Sequence, residues 1–391
     1  MKILIYKKNN LLTTTGGAEK ITIQMANHFA DEGHQVTLLT RDEKDGKSFF
    51  KPSPKVKVIN LYPQLKGTFS PFRRFINKLL YTTQSQQLLD KFPFFDREKL
   101  VSDVTYAKIQ EIKPDIIITA GAADLVDLTY KKEYQTPIIV MLHSRPSVYF
   151  DIKNKIKSSL MLNEINKANA VQVLLPSFVE DAKKYYQGKI KVIGNNIPAP
   201  ENQTQYAKGK KDYSIIYMAR FDNFKQQDFL IKSFSSLIND YPEWKVNLWG
   251  TGKKSKINSI KKLIHQYRLD KNVFLKGTTD TPYKELAQAD ICAFPSKFEG
   301  FGIALGEAMA SGLPCVGLKS ASAVNELIID GYNGYLCSDN TKDFANKLAK
   351  LMASPELRKE LGQNAKKEIS KYAPEIVWKQ WDDLIAELTD K

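Results

Sequence analysis

Apolar residues in this chain fall into short unbroken runs, separated by longer stretches in which they recur at helical spacing. In the first half the runs are KILIYK (2–7), QVTLLT (35–40), KVKVIN (55–60), DIIITA (115–120), PIIVMLH (137–143), AVQVLL (170–175) and IKVIG (190–194). Continuous apolar strands alternating with helices predict a parallel sheet covered on both faces, a doubly wound α/β domain. After NNIPAP (195–200) comes ENQTQYAKGKKD (201–212), which has no hydrophobic period and reads as a linker. The alternation then restarts with YSIIYMA (213–219), KVNLWG (245–250), NVFLKG (272–277), DICAFP (290–295) and PCVGL (314–318), predicting a second domain of the same kind. The tail from Pro355 reads as helices, with Trp378 and Trp381 on one apolar face.

This pattern divides the chain into a domain over 1–198, a second over 199–372, and a C-terminal helix over 373–391 expected to cross back to the first. A length of 391 residues exceeds what a single core usually supports, which agrees with two domains. Two doubly wound domains are expected to face each other across a cleft, with ligands at the carboxyl ends of the strands. Motifs at strand ends therefore carry most of the functional information.

Composition adds three constraints. No apolar run approaches the roughly 20 residues of a membrane-spanning helix, and MKILIYKK is too short and too charged for a secretion signal, so a cytoplasmic location is expected. Cys292, Cys315 and Cys337 are odd in number and lack CxxC spacing, which predicts reduced core residues. The net charge of +15 is uneven: residues 1–198 hold 30 Lys+Arg against 19 Asp+Glu, residues 199–391 hold 28 against 24. The first half is thus expected to face something anionic, whether nucleic acid, a phosphorylated substrate or a membrane surface.

The stretch FEGFGIALGEAMASG (298–312) sets Glu299 and Glu307 eight residues apart among glycines and apolar residues. On one straight helix they would lie roughly 80° apart, so they would not stack on one face. The glycines at 300 and 302 predict instead a turn followed by a helix, with Glu299 in the loop at the sheet edge and Glu307 about one turn into the helix. Free N–H groups at such a helix start can take phosphate or sugar hydroxyls, and carboxylates can accept hydrogen bonds from sugar and ribose hydroxyls. The same spacing also fits a plain tight turn followed by a solvated Glu307.

Other strand ends carry weaker signals. Arg220 and Lys225 in MARFDNFKQQ follow a strand and suit a diphosphate, though surface bases are common. Gly250 and Gly252 in WGTGKK follow another strand, a weak signal by itself, whereas Gly16 and Gly17 in TTTGGAEK follow strand one without the GxGxxG spacing of a dinucleotide loop, which counts against a dehydrogenase. His143 closes a strand, where its ring can reach a cleft. No DxD triplet or metal-ligand spacing is present, so no metal and no cofactor are expected.

Taken in chain order, TTGGAE, MLHSRP, ARFDNFK, WGTG and EGFGIALGEAMASGLP resemble the motifs of the retaining nucleotide-sugar glycosyltransferases of family four, which have the GT-B fold. The resemblance implies a nucleotide diphosphate sugar in the second domain, with Glu307 on the ribose and Arg220 and Lys225 on the diphosphate. Glu299 and the backbone amides after it, across Gly300, Phe301, Gly302 and Ile303, would hold the transferred sugar, beside the Gly250 and Gly252 loop. It places His143 on the sugar from the first domain, and lets the Gly16–Gly17 loop approach the phosphate or acceptor. The base is expected to be uridine, the transferred group a hexose or N-acetylhexosamine, and the chemistry metal-free. Similar enzymes retain configuration by attack from the leaving-group side, so Glu299 is not assigned as a nucleophile; glycosidases instead flank one bond with two acids. One departure is Ala219, where the family often has glycine.

For the acceptor, Leu65–Phe92 interleaves Phe72 and Phe75 with Arg73, Arg74 and Lys78 and has no acid before Asp90. It reads either as a peripheral membrane segment serving a lipid-linked or saccharide acceptor in cell-surface polysaccharide synthesis, or as a hairpin packed on the first domain. Nucleic acid is not an expected partner. The competing functions are a sugar phosphorylase or sugar-phosphate synthase on the same fold, and a non-catalytic glycosyltransferase-like binding subunit.

Overall fold

The computed structural model describes all residues except 10, 12–15, 44–49, 67–71, 73–74, 76–95, 154, 202–203, 205–211 and 390–391. Two compact units result, one of Met1–Gly194 with Val377–Lys391 and one of Asn195–Ile376.

Unit 1 carries seven strands: β1 (Lys2–Lys7), β2 (Gln35–Thr40), β3 (Lys57–Asn60), β4 (Ile116–Thr119), β5 (Ile138–Leu142), β6 (Ala170–Val173) and β7 (Lys189–Val192). They pair in the order β3-β2-β1-β4-β5-β6-β7, every pair parallel. Order reverses on either side of β1, the doubly wound signature, with helices required to carry the chain back between parallel strands. The apolar runs are the reason: all four residues of β4 and all five of β5 are buried, as expected when both sheet faces are covered.

In unit 2, β8 (Tyr213–Met218), β9 (Trp244–Trp249), β10 (Val273–Gly277), β11 (Ile291–Phe294), β12 (Cys315–Leu318) and β13 (Gly334–Cys337) pair in the order β10-β9-β8-β11-β12-β13, again all parallel. Each unit is therefore one Rossmann-like domain, and the chain has the two such domains expected of a GT-B protein. The strand β13 was not visible as an apolar run: its four residues GYLC are only half buried in the middle. All three cysteines are buried free thiols, Cys292 lying opposite Cys315 across β11 and β12.

Two features lock the C-terminal part. Arg358, 1% exposed, donates from Nη1 to the carbonyls of Leu351 (2.7 Å) and Met352 (3.1 Å), groups that the end of helix Thr341–Ala353 leaves without helical partners. Its guanidinium also lies over the rings of Tyr213 and Trp244. Ser354 then caps helix Pro355–Ile369 through the Leu357 N–H. The final helix, Pro374–Thr389, buries Trp378 and Trp381, and Trp378 stacks on His28 at 4.9 Å within unit 1.

Candidate active site

In unit 2 the chain leaves β8 through a loop held by its own side chains. Asp222 accepts hydrogen bonds from the backbone N–H groups of Phe224 (2.9 Å) and Lys225 (3.1 Å), a turn that Asp favours because its carboxylate reaches the backbone two residues on. Tyr217, at the end of β8, donates to the Lys225 carbonyl and lies 2.8 Å from the Ser296 hydroxyl. The Lys297 N–H donates to the Phe224 carbonyl at 2.8 Å, and Gln226 donates to the Pro295 carbonyl at 3.2 Å. The loops after β8 and β11 are thus stitched together at the carboxyl edge of the sheet.

The stitching brings Lys225 onto Glu299: Nζ to Oε1 is 2.5 Å, with the side chains 21% and 11% exposed. A charge-assisted hydrogen bond between residues 74 apart is thereby set in a half-sheltered loop pair. Arg220, by contrast, points outward, 76% exposed, with Nε 3.0 Å from Asp222. Phe224, between the two cations, is 64% exposed.

The helix after Glu299 begins at Ile303, and Gly302 before it has φ +84°, the left-handed region that disfavours any side chain. This is the turn-then-helix arrangement that the glycines predict. Glu307, however, is only 6% exposed, so the alternative of a solvated helix residue is wrong: the helix turns this carboxylate inward, close enough to Tyr283 to raise its phenol pKa further, after burial. The two acids have separate surroundings, one paired to a lysine and one buried beside a tyrosine.

The glycine pairs divide differently. A Cβ at Gly250 would lie 2.1 Å from the Ala219 carbonyl oxygen, and one at Gly252 2.2 Å from that of Phe221. These glycines are demanded by the approach of the β8 and β9 loops to each other, sealed by the Phe221 N–H to Thr251 carbonyl bond at 2.8 Å. At Gly16 a Cβ would meet Glu19 Oε2 at 2.1 Å, the far end of a flexible side chain.

At the carboxyl edge of the unit 1 sheet, His143 follows β5 with both ring nitrogens shielded from solvent and without hydrogen-bond partners. Burial, with the nearby Lys7 charge, lowers its pKa to about 3. Its imidazole is therefore neutral at physiological pH, able to donate from one nitrogen and accept at the other. Unit 1 also holds groups that strand-end motifs did not single out. Lys7, ending β1, pairs with Glu19 at 3.3 Å. Asp124 is buried with Oδ2 unpartnered, and burial raises its pKa against the pull of Lys7 and Lys8. Asp127 accepts from Tyr6 (2.8 Å) and Arg41 (2.5 Å) in a buried network. The only trace of Asp124 and Asp127 in the sequence is their spacing of three, one turn apart on helix Ala122–Thr129.

Arg73, Arg74 and Lys78 lie outside the described residues, as does most of the linker. Phe72 and Phe75 are 66% and 65% exposed. No helix among the described residues is long and apolar enough to cross a membrane.

Comparison with known proteins agrees with the two-unit fold. The family model "Glycosyltransferase Family 4" matches residues 15–199 and "Glycosyl transferases group 1" matches residues 198–368. With both models in tandem on two doubly wound units, the chain is a family-four-like glycosyltransferase of the GT-B fold. An uncharacterized glycosyltransferase of Haemophilus influenzae is 23% identical, the match covering 95% of this chain and 97% of that protein. The poly(glycerol-phosphate) alpha-glucosyltransferase of Bacillus subtilis is 24% identical over 97% of this chain; the match spans 58% of that longer enzyme. Among solved structures, S. aureus TarM with fondaparinux, alpha-GlcNAc-glycerol and UDP superposes with a TM-score of 0.76 at 19% identity, covering 98% of this chain and 99% of that one.

Proposed function

We propose that this protein is a retaining, metal-independent hexosyl- or N-acetylhexosaminyltransferase. In this reading it uses a UDP-sugar and a saccharide or lipid-linked acceptor in cell-surface polysaccharide synthesis. The observation that carries the proposal is the Lys225–Glu299 contact at 2.5 Å, which sets a cation and a carboxylate side by side at the sheet edge where such folds bind ligands. A nucleotide diphosphate sugar presents the matching pair of features, an anionic diphosphate next to a hydroxylated ring. The TarM structure with UDP and the B. subtilis relative's name support the donor class and the polymer setting.

In the proposed reaction, Lys225 and the outward-reaching Arg220 take the diphosphate and stabilise the charge that grows on it as the glycosidic bond breaks. Glu299, with the amides of Gly300, Phe301, Gly302 and Ile303, accepts and donates hydrogen bonds to the transferred sugar. Glu307 takes the ribose hydroxyls, with Gly250 and Gly252 shaping the loop alongside. From the first domain (1–198), His143 bonds a sugar hydroxyl as a neutral imidazole, and Gly16 and Gly17 admit the phosphate or acceptor. The acceptor hydroxyl attacks from the leaving-group side and gives its proton to a phosphate oxygen, so product and donor share the anomeric configuration. The second domain is taken as 199–372, with 373–391 returning to the first, and the 65–92 stretch as a membrane or acceptor contact through Phe72, Arg73, Arg74 and Lys78. The enzyme acts at the cytoplasmic face.

A thermal-shift panel of nucleotides and nucleotide sugars tests the donor claim: a ligand at 100 times its Kd stabilises by roughly 2.7 kcal/mol. UDP and one UDP-sugar should raise Tm; indifference to every nucleoside diphosphate would refute the reading. Proton NMR of the first product then reports retention or inversion directly.

A further inference from the structure

The chain's positive charge has a focus that its two halves conceal. Residues 253–276 hold eight Lys+Arg and one acid, Asp270, a surplus of +7, whereas residues 199–391 as a whole carry only +4. The remainder of the second half holds 20 Lys+Arg against 23 Asp+Glu and is net acidic, so the local surplus lies on helix Lys254–Gln266 and its flanks, including the turn into β10.

On that helix only Ile260 and Ile264 are buried. Lys254 and Lys261 are seven residues apart, hence on one stripe and about 10 Å apart along the axis, with Lys262 beside them. Lys253, Lys254, Lys261, Lys262, Arg268 and Lys271 are all exposed, and none has an acidic partner among the described residues. Some exposed lysines elsewhere are paired, as Lys55 with Asp31 and Lys183 with Glu180. An unneutralised row of cations repels itself and weakens the fold unless a partner offsets it.

The row also has a direction. Its first member, Lys253, lines a cavity of about 660 Å³ shared with Arg220, Asp222, Gly252, Ser255 and Lys256, the last paired with Asp228. The cationic stripe thus starts at the loop of the candidate donor site, within the same unit, and runs away from it along the helix. Across the whole segment a single large apolar residue is exposed, Tyr267 at 37%. A helix that inserts into a lipid interface needs a face of large apolar residues, and this one lacks it.

We infer that the exposed face of helix Lys254–Gln266 is a docking track for a linear polyanionic acceptor, a polymer bearing one anionic group per repeat, which the track guides to the site beside Arg220. The inference rests on the proposed transferase reading and adds to it the acceptor's charge and path. Binding along such a row releases condensed counterions, so affinity falls steeply with salt and each lost phosphate contact flattens the salt slope.

The test uses the full chain and a fluorescently labelled glycerol-phosphate oligomer of about ten units. Binding is titrated at several salt concentrations for the wild type, for Lys254→Gln/Lys261→Gln/Lys262→Gln, and for Lys342→Gln/Lys359→Gln/Lys367→Gln, which removes the same charge from other exposed sites of the same unit. The track variant should lose at least tenfold in affinity and show a flatter salt slope, while the control variant stays within about twofold. Equal losses in both variants, or none in the track variant, would overturn the inference. Binding of the wild type to phosphatidylglycerol vesicles but not to the oligomer would overturn it in favour of a membrane surface. The UDP thermal shift, measured on each protein, separates the two claims: its absence in the wild type sinks the donor reading, whereas the oligomer result alone decides the track.

Discussion

Lys225 donates to Glu299 across 2.5 Å, although the two lie 74 residues apart and on loops that follow different strands. The pair leaves the lysine's charge already matched before any ligand arrives, so a bound diphosphate must compete for it. Replacing either partner therefore affects two things. Lys225→Ala leaves a largely sheltered carboxylate without its donor, at an expected cost of roughly 1–3 kcal/mol. It should also lower kcat by about 100-fold if the ammonium meets charge that grows at the leaving group. Because each residue acts through the other, Lys225→Ala/Glu299→Ala should be less destabilised than the sum of the single variants. Urea denaturation and steady-state kinetics on the four proteins give both coupling energies.

Glu307 sits apart from that pair, buried at 6% exposure within its helix. In the proposed role it meets the ribose, which does not change during transfer, so its loss should act as uniform binding. Glu307→Gln is expected to raise the donor KM about tenfold with little change in kcat, whereas Glu299→Gln should lower kcat. A fall in kcat alone for Glu307→Gln would remove it from the ribose.

The glycines offer a test independent of activity. Gly250→Ala and Gly252→Ala put a methyl 2.1 and 2.2 Å from backbone carbonyl oxygens, which cannot rotate away, and Gly250 also has φ +133°. Each should cost more than about 2 kcal/mol, as overpacking against rigid neighbours does. At Gly16 the obstacle is the tip of Glu19, so Gly16→Ala should cost under about 1 kcal/mol. Chemical denaturation midpoints distinguish the two groups.

Legibility in the chain follows the same division between local and distant causes. Strands such as KILIYK and PIIVMLH are read from their own composition, since burial on both faces demands unbroken apolar runs. The strand Gly334–Cys337 escapes because an edge position leaves its middle half exposed and its pattern short. The turn at Gly302 and the helix after it are local and readable; the inward orientation of Glu307 is not, because it depends on what the helix packs against. Lys225 and Glu299 were each visible as residues at strand ends, but their contact is made by Tyr217, Gln226 and Lys297 tying two loops together. Asp124 was invisible because nothing near it in sequence marks it as buried, and the lysine row on helix Lys254–Gln266 was masked by averaging charge over half the chain.

His143 gives the last prediction, in which stability rather than activity is read against pH. Burial and Lys7 hold its folded pKa at about 3, against 6.5 for the unfolded chain. Between these values the unfolded state binds the extra proton, so stability rises with pH in that window and falls as pH drops below about 6.5. The slope from this one group is at most about 1.4 kcal/mol per pH unit. His143→Gln keeps a side chain that can both donate and accept but does not titrate, so its stability should fall less than the wild type's between pH 7 and pH 5. Urea midpoints at four pH values in that range measure the difference. Parallel curves for the two proteins would mean that the ring nitrogens are not shut away from protons, and the neutral-imidazole role at the sugar would go with them.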